Sequence, residues 1–352
     1  TGLIQLDGVD SLEGFSLVKH ETRNFTANYT EGVQVLSVFD SLTVQAGEGP
    51  VNVYLHYENA RIADINVLAG GADSAAYLTL DNGESGNTLA LSQSRIDVSA
   101  SGNSSDAELD LYDASGSIST LNVTASGYDS FASADISIDG DITQANLSAT
   151  GVSSSVNVTI AATSVGDIGV EVTSSAWAGL SLLLGEHGGN ISILNSGEAG
   201  GTANIQFMGD YTSDTIELGG FTGTTSVSIG RADIDGVDWT AREGDALQIN
   251  GLGESASGLG ILFSGYEPVG DSSDADDYLE VLVEVDLATF QASAEQALGS
   301  GGTAYFYFGV VNDGTGARGV LAYDFDHSGV TGMIDLGGVT NFDQSNIQNF
   351  FS

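Results

Sequence analysis

Residues 107–147 read AELDLYDASGSISTLNVTASGYDSFASADISIDGDITQANL and contain two short triplets with apolar outer residues, Leu121-Asn122-Val123 and Ala145-Asn146-Leu147. Outward from these, the triplet recurs at Ile96-Asp97-Val98, Ile65-Asn66-Val67 and Leu42-Thr43-Val44 on one side, and at Val170-Glu171-Val172 and Ile191-Ser192-Ile193 on the other. From Val44 onward, the last residues are separated by 23, 31, 25, 24, 25 and 21 positions. A second series lies between them, ending at Leu55, Leu80, Leu111, Ile138, Ile160, Leu184 and Phe207, with separations of 25, 31, 27, 22, 24 and 23. Alternation puts the apolar residues of each run on one face of a strand. A repeat with so few of them cannot bury that face alone, so stacked repeats are the natural route to a continuous core. The chain therefore reads as all-β, a right-handed parallel β-solenoid with two strands per repeat. An antiparallel β-sandwich also has many short strands and stays open at this point.

Turn chemistry agrees with stacking. Gly116-Ser117-Ile118, Gly140-Asp141-Ile142, Gly166-Asp167-Ile168 and Gly189-Asn190-Ile191 read as corners that open successive coils. The longer interval between Val67 and Val98 holds Asp81-Asn82-Gly83-Glu84-Ser85-Gly86-Asn87, expected to be an outward loop. Residues 1–40 fit the repeat poorly and read as a cap or the end of a preceding domain. Residues 41–250 read as the solenoid, and 251–352 as a small α+β C-terminal unit.

Composition narrows the function. The chain has 352 residues, with 48 Asp and Glu against 7 Lys and Arg, a formal charge of −41. Hydrophobic residues make up 41% and mean hydropathy is slightly positive, so this is no disordered acidic tail. Self-repulsion on that scale favours bound counter-ions, and clustered carboxylates prefer hard divalent cations such as Ca²⁺. Nucleic acid is excluded as a partner by the same charge. Cysteine is absent, which removes disulfides and thiolate metal sites. No apolar run is long enough to cross a bilayer, so membrane insertion is not expected. The first residue is Thr1 and no leader-like segment follows it, so the chain is expected to be a piece of something longer.

Several acidic segments are candidates for calcium. Asp210 and Asp214 lie in Gly209-Asp210-Tyr211-Thr212-Ser213-Asp214-Thr215-Ile216-Glu217-Leu218. Asp233, Asp235 and Asp238 alternate around a glycine, and Asp271, Asp274, Asp276 and Asp277 cluster near Pro268. Alternate carboxylates let several oxygens converge on one ion. Asp324, Asp326 and Ser328 space their oxygens as Asp-x-Asp-x-Ser-Gly, like the first half of a calcium loop without its closing glutamate. Each segment also reads as an ordinary Asp-containing turn.

From about residue 277 the texture changes. Asp286 can cap a helix with Leu287, Phe290, Ala294 and Leu298 on one face, which Gly299 stops. An aromatic strand follows, Ala304-Tyr305-Phe306-Tyr307-Phe308-Gly309-Val310-Val311, then LAYDFDHSG (321–329), IDLGGVTNF (334–342), QSNI (344–347) and an apolar end. This order resembles the C-terminal secretion unit of type I-exported repeats-in-toxin and S-layer proteins, over roughly the last 75 residues. The 209–218 segment resembles a degenerate copy of that family's calcium-binding nonapeptide, with Thr212 where a glycine is expected, Asp214 toward the ion and Ile216 toward the core. The resemblance implies a calcium-binding β-roll-like solenoid. It also implies export through a one-step channel and folding in extracellular calcium on the surface of a Gram-negative bacterium.

Three functions follow as expectations: a non-enzymatic S-layer or surface-assembly subunit that self-associates into a lattice and contacts outer-membrane polysaccharide; a calcium-dependent adhesin; or a fragment of a β-helical polysaccharide-acting enzyme. His20, His56, His187 and His327 lack zinc-protease spacing, and no Gly-x-Ser-x-Gly elbow occurs. Seven cations scattered singly do not make a lyase face. Trp177 and Trp239 are expected in the core rather than on a sugar site, the matches to Asn-x-Ser/Thr are read as strand and turn residues, and Thr-x-Thr ladders are absent.

Overall fold

Runs of alternating small apolar and polar residues form short strands, and tight turns between them return the chain to the same line again and again. The computed structural model describes the backbone of residues 2–7, 16–19, 25–30, 37–56, 59–81, 88–173, 175–187, 190–195, 201–207, 214–218, 224–230, 245–252, 259–264, 278–302, 304–312, 314, 316–324, 329–330, 332–342 and 346–348. The elements are β1 (Gly2–Asp7), β2 (Ser16–Lys19), β3 (Phe25–Thr30), β4 (Ser37–Ala46), β5 (Pro50–His56), β6 (Asn59–Ala69), β7 (Ala75–Asp81) and β8 (Thr88–Ala100). Then come β9 (Asp106–Ala125), β10 (Phe131–Ala149), β11 (Ser155–Val172), β12 (Trp177–His187), β13 (Asn190–Asn195), β14 (Thr202–Phe207), β15 (Asp214–Glu217) and β16 (Thr224–Gly230). The last are β17 (Asp245–Asn250), β18 (Leu259–Ser264), β19 (Tyr278–Val285), α1 (Leu287–Leu298), β20 (Phe306–Asn312), β21 (Ala317–Tyr323), β22 (Gly332–Asp335) and β23 (Ile347–Gln348).

Up to β18 every pairing among the described residues is parallel, and each strand pairs with its counterpart one coil away, so the fold is an all-β parallel solenoid. Val123 lies opposite Leu147 on a parallel neighbour, which the solenoid requires and the antiparallel sandwich forbids. One sheet stacks β1, β3, β5, β7, the first halves of β9 to β12, and then β14, β16 and β18. Another stacks β2, the ends of β4, β6 and β8 to β11, and then β13, β15 and β17. Between them runs a third, shorter ribbon, for example Ala114–Ile118 against Ile138–Ile142, so a coil has three strand runs and not two. The segment before residue 41 already contributes strands to both main sheets.

The alignments read from sequence slip by two residues at three places. Ala145 and Leu147 stack on Ile168 and Val170, so the triplet of that coil is Ile168-Gly169-Val170 and not Val170-Glu171-Val172. Leu111 stacks on Ile136, and Ile160 on Leu182, in place of Ile138 and Leu184. A slip of two leaves every side chain on its own face, which is why the apolar pattern survives it. The supposed corners also divide: Gly116 stacks on Gly140, whereas Gly166 falls beside Thr143 and Ile168 belongs to the sheet after the corner. Residues 82–87 of the expected loop, and Gly189, lie outside the described residues.

The turn between one coil and the next has its own chemistry. Asp73, Ser104, Asp129 and Ser153 hold φ of 54°, 51°, 51° and 56°, a left-handed geometry that short polar residues tolerate. The next residue, Ser74, Ser105, Ser130 or Ser154, is buried and donates its hydroxyl to the carbonyl of the glycine three positions back, at 2.7, 2.7, 2.9 and 2.7 Å. Those glycines stack so closely that a Cβ on Gly127 would stand 1.9 Å from the Gly102 oxygen. Inside the coils, Ala, Val, Leu and Ile repeat as fully buried columns.

The C-terminal elements close this stack. Asp286 caps α1 through Thr289 N–H at 2.9 Å, and Phe290, Ala294 and Leu298 are buried as expected. Gly299 is extended and not left-handed; its lack of a side chain matters because a Cβ would meet the Glu295 carbonyl at 2.5 Å. β20, β21 and β22 pair antiparallel, while β22 adds in parallel to β17 and β23 to β18. Phe308, Tyr323 and Phe342 extend the solenoid core, and Phe290 packs on Tyr307 in a second cluster beneath α1. Among the described residues, no helix is long and apolar enough to cross a membrane.

Candidate functional site

Of the carboxylates assigned to calcium from sequence, Asp210, Asp233, Asp235, Asp238, Asp271, Asp274, Asp276, Asp277 and Asp326 lie outside the described residues, as does Ser328. Asp214 opens β15, where its backbone faces Leu247, and Ile216 is fully buried in the core as its place in the pattern requires. Asp324 is fully buried, and its carboxylate accepts the Gly329 N–H at 3.1 Å, which ties the two ends of the acidic turn together. Among the described residues, no group of three or more His, Asp or Glu side chains converges in a way that could hold a metal ion.

Carboxylates do gather elsewhere. On the outer face of the first sheet, Tyr77 lies opposite Glu108, Thr79 opposite Asp110, and Asp110 opposite Asp135 on the next coil. The Tyr77 hydroxyl donates to Asp106 at 2.6 Å, and Tyr54 donates to Asp81. Burial pushes Glu108 above the usual carboxylate range, with Asp110 and Asp106 adding to it. Burial does the same to Asp110, where Asp135 adds and a hydrogen bond from Thr79 opposes, and to Asp135. Burial and the bond to Asp106 together raise the Tyr77 hydroxyl, so this phenol stays a proton donor across the physiological range. Sequence reading passed over this column because its members are scattered one or two per coil; only the register unites them.

On the outer face of the other main sheet, polar side chains bond along the column. Asn122 donates to Asp97 at 2.6 Å, Asn146 donates to Asn122 at 2.8 Å, and Arg95 bonds Asp97. Each amide satisfies the next, so little bonding capacity remains.

Further along the first sheet the surface changes again. Trp177 opens β12 on the outer face and is half-buried, contrary to the expectation that it sits in the core. Its indole leans over Gly179: a Cβ there would meet Cη2 at 2.4 Å and Cζ2 at 2.8 Å. Asn157, Ser181, Asn204 and Gln206 surround the ring and line a cleft of about 320 Å³ with no charged side chain in its wall. Trp239 lies outside the described residues. No family model, curated protein or solved structure matches the chain.

Proposed function

We propose that this chain is a structural subunit of a bacterial cell-surface layer, exported by a type I system and assembled with calcium outside a Gram-negative cell. The observation that carries the reading is the carboxylate column of the first sheet. Asp110 and Asp135 face each other on adjacent coils in a chain of 48 acidic and 7 basic residues. Like charges one strand spacing apart, about 4.8 Å, favour any state in which a hard divalent cation neutralises them. Calcium acts here by bridging and screening stacked carboxylates, within one chain or between copies, and not through a closed cage. A stack that adds coils in one direction is also a rod with two long, flat, ladder-bearing sides, a shape suited to side-by-side packing. The lattice role is read as structural and not catalytic.

Thermal melting in calcium and in chelator, at constant ionic strength, tests the ion. A ligand bound only by the folded state raises stability by RT ln(1 + [L]/Kd), so the midpoint is expected to rise with calcium concentration. An unchanged midpoint removes calcium from the reading. Electron microscopy of the chain with and without calcium tests assembly: ordered arrays support a layer subunit, and dispersed monomers in calcium exclude it.

A further inference from the structure

The cleft over Gly179 differs from its surroundings because a ladder has been interrupted. On the outer face of the first sheet, Asn157, Gly179 and Asn204 occupy equivalent positions on three successive coils. In the other main sheet the equivalent amides, Asn122 and Asn146, stand on adjacent coils and bond each other. Gly179 removes the middle rung here, leaving Asn157 and Asn204 two strand spacings apart, about 9.6 Å, too far to bond directly. Among the described residues neither has a side-chain hydrogen-bond partner. Gln206 uses its oxygen to accept from the Ser181 hydroxyl at 3.2 Å, so its amide hydrogens point elsewhere. Trp177 occupies the space that the missing side chain leaves, and a Cβ at position 179 would meet the ring at 2.4 Å, so a larger residue there would displace the indole.

We propose that this cleft binds an uncharged polysaccharide, with one pyranose ring lying on the Trp177 indole and its hydroxyls held by Asn157, Asn204 and Gln206. A sugar ring presents an apolar C–H face and a rim of hydroxyls, each both donor and acceptor. An aromatic plate flanked by amides matches both features, because an amide group supplies donor and acceptor side by side. The wall carries no charge and the chain carries −41, so an acidic polymer would be repelled where a neutral one is not. Binding here does not depend on calcium or on lattice formation, and the test separates them.

The experiment is native affinity electrophoresis of the full chain, in chelator, through gels containing soluble dextran, laminarin or galactomannan, with polygalacturonate as the acidic control. At least one neutral polymer is expected to retard the wild-type chain, and Trp177→Ala and Asn204→Ala are each expected to raise the apparent Kd tenfold or more, with circular dichroism unchanged. If Trp177→Ala alters the circular dichroism, Asn204→Ala decides. Failure of every neutral polymer to retard the wild type would overturn the proposal. So would equal retardation by polygalacturonate, or unchanged retardation of a folded Asn204→Ala variant.

Discussion

The coils from Asp106 to Val172 and the elements after Tyr278 bury comparable interiors with opposite materials. In the coils the core is Ala, Val, Leu and Ile in columns, each stacked on another aliphatic residue, and the turns repeat a glycine and a buried serine. After Tyr278, Phe308, Tyr323 and Phe342 extend that core, α1 roofs a second cluster around Tyr307, and β20 to β22 turn antiparallel. Repetition makes every rung an open template for the next, so a stack that only repeats has no reason to stop. The closing elements stop it by adding β22 and β23 as last rungs and then departing from the pattern. Large aromatic side chains fill a space that columns of small residues could not, since no further coil arrives to pack against them.

The comparison breaks most plainly if the closing elements go. Deleting residues 278–352 would uncover β17 and β18, with Leu247, Ile249 and Ile261 at the exposed end of the core. The truncated chain is expected to self-associate, seen as loss of the monomer in light scattering and a gain in binding of a hydrophobic dye. It is also expected to fail to reach the medium if the tail is the export signal. A truncated chain that stays monomeric and melts as the full chain does would show that the stack ends without this cap. Truncated chain secreted at normal levels would remove the export reading while leaving the cap intact.

Glycine supplies the next, smaller contrast. At Gly127 the backbone of the coil below leaves no room, with the Gly102 oxygen 1.9 Å from a Cβ position, so Gly127→Val is expected to cost about 3–5 kcal/mol in urea unfolding. Gly301, in the closing region, has φ of 102° and open space around it, so Gly301→Ala is expected to cost only the backbone strain, about 1–3 kcal/mol. Equal losses at the two sites would mean that close stacking is not what demands glycine in the coils.

The sequence makes the solenoid legible because the alternating pattern is set by burial, and burial is common to every coil. It leaves the register unresolved by two residues at Ile168 and Ile136, because a slip of two costs the pattern nothing. The helix with Asp286 as its cap and Phe290, Ala294 and Leu298 inside was readable in full, since cap and face are local signals. Trp177 was readable in principle: Ala178, Leu180 and Leu182 point inward, so alternation alone places Trp177 and Gly179 outside. General preference for buried tryptophan outweighed that local evidence. The carboxylate column was not readable, because Glu108, Asp110 and Asp135 meet through stacking, which depends on the very register that the pattern leaves free.

The smallest expected effect concerns protons, and it too divides the two regions. Glu108, Asp110 and Asp135 are raised by burial, so the folded chain binds protons more readily than the unfolded one. Their contribution is fully present below the unfolded values of about 3.9–4.3 and is lost as pH rises through the folded ones, so acidification from neutral stabilises the coils. Asp286 is shifted the other way, lowered by the Thr289 backbone N–H and then by its hydroxyl. Its contribution is present above the unfolded value and is lost as pH falls through the folded one, so acid weakens the helix at the closing end. Asp110→Asn removes one charge of the facing pair. At pH 7 it is expected to raise the melting midpoint by the equivalent of less than ~1 kcal/mol, since the column is half in water and screened. It is also expected to flatten the rise in stability toward pH 5 and to shrink the gain from calcium. Asp286→Asn is expected to leave that rise intact and to lower the midpoint at neutral pH. If Asp110→Asn changes neither the midpoint nor the pH profile, the column is already solvated and its stacking carries no electrostatic cost for calcium to relieve.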